Sequence, residues 1–113
     1  MNNATYLSLF EEARWEMITQ RGFGLSEIKA RQLGPVILSC EVKFAREVLL
    51  REQITITTDL LDYRGKIGRL TQKMLKPSGE VACEATFTFG LFDLKERKLI
   101  DPTPEWKVAV GLS

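Results

Sequence analysis

A chain of 113 residues, 44% hydrophobic and 27% charged, can bury one core and lies outside the composition of disordered chains. Sixteen basic against fifteen acidic residues leave a formal charge of +1, which sets nucleic-acid binding aside, and no apolar run approaches the ~20 residues of a membrane-spanning helix. Histidine is absent, so Ser-His and Cys-His nucleophiles, imidazole acid–base chemistry and most zinc sites are excluded, and any catalysis must use carboxylates, hydroxyls, amides or backbone dipoles.

In chain order, Tyr6, Phe10, Ala13 and Met17, with Leu7, Arg14 and Ile18 beside them, recur at helical spacing and predict a helix from Asn3 to about Gln20. Asn2 or Asn3 is the natural N-cap and Gly22 the terminator. No basic stretch followed by an apolar one opens the chain, so a cytoplasmic address is expected. A short second helix is expected after Ser26, closing at Gly34 before Pro35. Gly22-Phe23-Gly24 lacks the third glycine and the preceding strand of a dinucleotide fingerprint.

From Val36 to Phe44, strict alternation predicts a strand with Val36, Leu38, Cys40, Val42 and Phe44 on its buried face. Further strands are expected over 53–63 and 66–76, joined by a tight reversal at Arg64-Gly65, and over 81–92 after the turn Pro77-Ser78-Gly79. The last of these places Val81, Cys83, Ala85, Phe87, Phe89 and Leu91 on one face. Both cysteines, lacking metal-ligand spacing, are expected in the core, and no metal or cofactor is implied. Asp93 to Lys98 is a polar reversal, after which Thr103 and Pro104 cap and begin a helix carrying Trp106. The fold class is α+β: one domain over 1–113, with a long helix on one face of an antiparallel sheet whose other face meets water.

Arg14 falls inside the apolar arc of the first helix, with Glu11 one turn before it. One reading is a partly buried ion pair that orients the helix; the other is a Glu11 carboxylate base facing a cleft, with Arg14 tuning its charge. The backbone N–H groups around Asn2 and Asn3 suit an oxyanion forming on a carbonyl. Arg64, Lys66 and Arg69 gather at one reversal, either as a solvated turn or as a binding place for the phosphates of a nucleotide-containing ligand. Ser26, Ser39 and Ser78 have no base that the sequence can name.

The runs Asn2-Asn3-Ala4-Thr5-Tyr6 and Phe10-Glu11-Glu12-Ala13-Arg14 resemble the central helix of the hotdog-fold acyl-CoA thioesterases related to 4-hydroxybenzoyl-CoA thioesterase. Val42-Lys43-Phe44, Gly79-Glu80-Val81-Ala82, Leu91-Phe92-Asp93 and Pro102-Thr103-Pro104-Glu105-Trp106 follow in the same order as in that family, so the resemblance covers essentially the whole chain. It implies a sheet wrapped around the helix, paired subunits forming a homodimer or homotetramer, and an acyl-CoA or acyl-carrier-protein thioester in a groove between them, with the thioester near the helix N-terminus. It marks Asn3, Tyr6 and Glu11 as catalytic candidates and Arg64, Lys66 and Arg69 as coenzyme A contacts.

One departure is plain. The family usually opens with a strand and an Asp-x-x-Gly-His-Val-Asn-Asn run, and here Met1 stands where the valine would be. A sequence that begins too late is the favoured reading, ahead of a member using another carboxylate such as Glu11 or one that has lost activity. The expected reaction is thioester hydrolysis to a free acid and a thiol, within fatty acid metabolism; the alternatives are a noncatalytic acyl-CoA or carrier-protein binding module and a purely structural dimer. Hydratases of this fold pair an aspartate with a histidine and are disfavoured.

Overall fold

The computed structural model describes residues 3–49 and 51–112, and the side chains of all of these but Asn3 and Ala4. The proposed N-cap residue Asn2 lies outside the described residues. Helix α1 spans Asn3–Gln20, as the apolar spacing predicts. Tyr6, Phe10 and Ile18 are buried, Met17 is half-buried, and Leu7, assigned to the same arc, is exposed.

Helix α2 is Leu25–Arg31, starting two residues earlier than expected because Gly24 is its N-cap, with Glu27 Oε1 accepting from the Gly24 N–H at 2.8 Å. It also ends earlier. Gln32 takes the left-handed conformation (φ 57°), and strand β1, Leu33–Phe44, begins at once with Gly34 and Pro35 inside it. A proline lacks the N–H that a central strand must donate, and β1 tolerates it because it is an edge strand.

Strands β2 (Thr55–Arg64), β3 (Ile67–Leu75) and β4 (Val81–Asp93) follow within a residue or two of expectation. All pair antiparallel in the order β1-β4-β3-β2. Lys98–Ile100 adds a short strand β5 beside the end of β4, beginning at the last residue of the expected polar reversal. Helix α3, Pro104–Val110, is capped as predicted, with the Trp106 N–H donating to Thr103 Oγ1 at 3.2 Å.

Two bulges set which residues face α1. The β1–β4 register shifts between Ile37 and Ser39, so Pro35, Ile37, Cys40, Val42 and Phe44 share the face of Leu91, Phe89, Phe87, Ala85 and Cys83. Strict alternation therefore assigns Val36 to the wrong face and takes Leu38, the unpaired residue of the bulge, for a regular strand position. The β2–β3 shift between Leu60 and Asp62 likewise aligns Tyr63 with Gly68 on the inner face. Phe10, Phe23, Leu70, Met74, Phe87, Phe89, Leu91 and Trp106 form the core between helices and sheet. The outer face carries Glu41, Lys43, Asp59, Arg69, Lys73, Glu84 and Thr88, all at least partly accessible, as expected of a face that meets water.

Cys83 is buried as expected, but Cys40 is exposed. Its phase is inward, yet among the described residues β1 has a neighbouring strand on only one side, and Ile37, Leu38 and Phe44 are likewise left 41%, 45% and 47% accessible.

Candidate functional site

The second half of α1 and the sheet leave an apolar cavity of about 260 Å³. Helical spacing brings Glu11, Arg14, Trp15 and Ile18 to one wall. The floor is Ile37, Leu70 and Phe89, one residue from each of three adjacent strands. Trp106 and Val110 of α3 close the far end, where Trp106 stacks edge-on against Phe23 and Phe89 and donates its indole N–H to Tyr63 Oη at 3.1 Å. Ile18, Leu70, Phe89, Trp106 and Val110 are all buried, whereas Glu11 and Ile37 are exposed, so the cavity opens on the side of β1.

The expected Glu11–Arg14 ion pair does not form; among the described residues Arg14 has no carboxylate within 4.0 Å. Its guanidinium instead lies 4.1 Å above the Phe87 ring and donates from Nη1 to Gln72 Oε1 at 2.9 Å. Gln72, fully buried, donates from Nε2 to the Phe10 carbonyl at 3.0 Å and to Thr58 Oγ1 at 3.1 Å. Helix and sheet are thus joined by a polar bridge inside the core, and every described buried side-chain polar atom has a partner. Burial holds the Arg14 pKa below the ordinary arginine value, while the negative charge of Glu11 works against that shift.

The remaining predicted residues are distributed differently. Asn3 begins α1, its side chain outside the described set. Tyr6 is buried against Phe44, with ring centroids 5.2 Å apart, and its hydroxyl accepts from the Val48 N–H at 3.3 Å, tying the segment after β1 to the helix. A shallow groove of about 310 Å³ runs beside it along Phe44 to Glu47. Asn3 and Glu11 are eight residues apart, about 12 Å along the helix axis. Arg64 and Lys66 flank Gly65 (φ 58°) at the β2–β3 hairpin, exposed and without an ion pair among the described residues. Arg69 is on the outer sheet face, away from the cavity, in a two-toothed pair with Asp62 that lowers the carboxyl pKa. The structure therefore brings Glu11 and Arg14 to one cavity and leaves the three basic residues outside it.

Sequence reading missed Gln72 and most of the cavity lining. A glutamine between Leu70 and Met74, in the inward phase of β3, was the available signal.

Comparison with known proteins places this geometry. Residues 1–110 match the thioesterase-like superfamily. The long-chain acyl-CoA thioesterase FadM of Escherichia coli strain K12 is 34% identical over 101 residues, covering 88% of this chain and 76% of FadM. The crystal structure of the probable thioesterase YbaW from Escherichia coli superposes with a TM-score of 0.86 at 30% identity, over 99% of this chain and 84% of that one. A Staphylococcus aureus protein solved in complex with CoA shares the fold at a TM-score of 0.91 and 18% identity, over 98% of this chain and 70% of its own. The fold is the hotdog fold.

Proposed function

Because the chain belongs to the thioesterase-like superfamily, we propose that it hydrolyses acyl-CoA thioesters at the α1–sheet cavity, releasing a free acid and the thiol of coenzyme A or of a carrier protein. The observation that carries this reading is the cavity itself, where an apolar chamber sized for an acyl group meets a carboxylate at its open side. In this reading Glu11 takes a proton from water, the resulting hydroxide attacks the thioester carbonyl, and the tetrahedral oxyanion collapses with cleavage of the C–S bond. The departing thiolate is then protonated, leaving the acid behind.

Asn3 is the candidate for oxyanion stabilisation through the amide end of α1, and Tyr6 for positioning that end by its hold on Val48. The 12 Å or so between Asn3 and Glu11 prevents both from serving one carbonyl within a protomer. Two protomers resolve this if one supplies Glu11 and the other the helix end. A homodimer, alone or paired into a tetramer, is supported by β1, whose second edge pairs with no described strand and whose Ile37, Leu38 and Phe44 are exposed. Arg64 and Lys66 are the first candidates for the coenzyme A phosphates, and Arg69 can join only by leaving Asp62. An acyl-CoA substrate puts the work in the cytoplasm and in fatty acid metabolism. Among the described residues no helix is long and apolar enough to cross a membrane.

Steady-state hydrolysis of acyl-CoAs, with free thiol as the readout, tests the proposal. Glu11→Gln is expected to lower kcat by about 10²-fold or more with KM little changed, the range of a general base. Arg64→Ala with Lys66→Ala is expected to raise KM. Absence of turnover on every thioester would defeat the hydrolase reading, and full activity of Glu11→Gln would remove Glu11 from it.

A further inference from the structure

Among the described residues lining the cavity, Arg14 is the one cation, set in a largely apolar wall with the Glu11 carboxylate at the open side. A guanidinium has five N–H donors, and among the described residues only one of Arg14's, on Nη1, meets a protein acceptor. The group is held rather than free, with its Cζ 4.1 Å over the Phe87 ring and its Nη1 bonded to Gln72. Gln72 is in turn pinned to Phe10 and Thr58, so the guanidinium is held in place from two sides. A planar fork fixed in this way matches a carboxylate, which can accept two parallel N–H bonds, whereas an alcohol of the same size can accept from only one point. Glu11 lines the same cavity and opposes an incoming anion, but it lies beyond ion-pair distance of Arg14 and is exposed, so water screens it more than Arg14.

We propose that Arg14 is the anion-recognising residue of this cavity, holding the carboxylate of a free acid whose hydrocarbon body lies among Ile18, Leu70, Phe89 and Trp106. Since thioester hydrolysis turns a neutral carbonyl into a carboxylate, the cavity then favours the acid that the reaction leaves behind and is inhibited by it. This deepens the hydrolase reading and rests on it for the origin of the acid, but the recognition itself can be measured without turnover. The same carboxylate can also arrive as free acid from solution, and equilibrium binding and product inhibition separate the two sources.

The chain's two tryptophans, Trp15 and Trp106, both line the cavity and report its occupancy by fluorescence. Hexanoate and benzoate would be titrated against hexanol and benzyl alcohol, on the wild type, Arg14→Gln and Arg14→Lys. The acids are expected to bind about tenfold more tightly than their alcohols to the wild type, as a charge-assisted pair implies. In Arg14→Gln the ratio should collapse toward one, and Arg14→Lys, which keeps the charge but not the fork, should fall between. Equal binding of acid and alcohol by the wild type overturns the proposal and requires no variant to fold. An acid preference undiminished in both variants overturns it as well.

In turnover, added hexanoate should compete with acyl-CoA where hexanol does not. Turnover without acid preference would sink this inference alone. Acid preference without turnover would keep it as a property of an acid-binding cavity and sink the hydrolase reading.

Discussion

Replacing Gln72 by leucine removes the polar bridge between α1 and the sheet while leaving an apolar side chain of similar size in a fully buried place. Three hydrogen bonds disappear: those to Phe10 and Thr58 are neutral, at about 1 kcal/mol each, and that from Arg14 is charge-assisted, at about 1.5–3 kcal/mol. Burying leucine instead of an amide returns about 1–2 kcal/mol. The helical Phe10 carbonyl keeps its intrahelical partner, so the net loss centres on Arg14 and comes to about 2–3 kcal/mol. At about 2.1 cal/mol/K of unfolding entropy per residue, a chain of this length loses about 4 °C of Tm per kcal/mol, which predicts a drop of about 8–12 °C. Urea denaturation at one fixed protein concentration gives the free energy directly and keeps subunit association from entering the comparison. Arg14→Met and the double variant close a thermodynamic cycle, in which the coupling should exceed about 1 kcal/mol. A Gln72→Leu protein within about 0.5 kcal/mol of wild type, or a cycle with no coupling, would refute the idea that this bridge joins helix and sheet.

Gly68→Ala should destabilise by about 1–3 kcal/mol, because its Cβ would stand 2.7 Å from Phe89 and 2.8 Å from Tyr63, rings already locked edge-to-face; an unchanged urea midpoint would contradict that packing. Asp62→Asn probes the pair with Arg69. Since folding lowers the Asp62 pKa, its contribution is present above the ordinary aspartate value of about 3.9 and is lost as pH falls from there through the lowered one, so wild type and variant should differ in stability at pH 7 and converge in acid. Leu38→Lys sets a charge on the exposed bulge of β1 and should convert a dimer to monomers in sedimentation velocity, whereas an unchanged sedimentation coefficient would move the interface elsewhere.

Most of the architecture was legible because it rests on periodicity. Tyr6, Phe10 and Ile18 mark the buried side of α1, the inward phase of β4 from Cys83 to Leu91 needed no correction, and Thr103-Pro104 fixed the start of α3. What failed were features that depend on a neighbour. The bulge at Leu38 is a matter of pairing with β4, and nothing in the local alternation announces it. Cys40 reads as a core residue from its phase, but its exposure follows from the edge position of β1, which only the strand order reveals. Gly34 and Pro35 carry the chemistry of a helix stop and are equally at home in an edge strand.

Glu11 and Arg14 could be paired by helical spacing, but their separation could not be foreseen, because the competing partner, Gln72, is 58 residues from Arg14 in sequence. Arg69 looked like part of a basic cluster, yet the pleat sends it to the opposite face from Leu70. Sequence adjacency around a hairpin thus overstated what three basic residues can share.

The most direct measurement of the central claim is the acyl-length profile of hydrolysis in the wild type and in Ile37→Trp, which narrows the open side of the cavity while leaving Glu11 and Arg14 in place. If acyl groups lie between α1 and the sheet, kcat/KM in the wild type rises with chain length until the cavity is filled. The optimum in Ile37→Trp then moves to shorter chains, with acetyl-CoA turnover retained. Superimposable profiles for the two proteins would mean that the acyl group binds elsewhere.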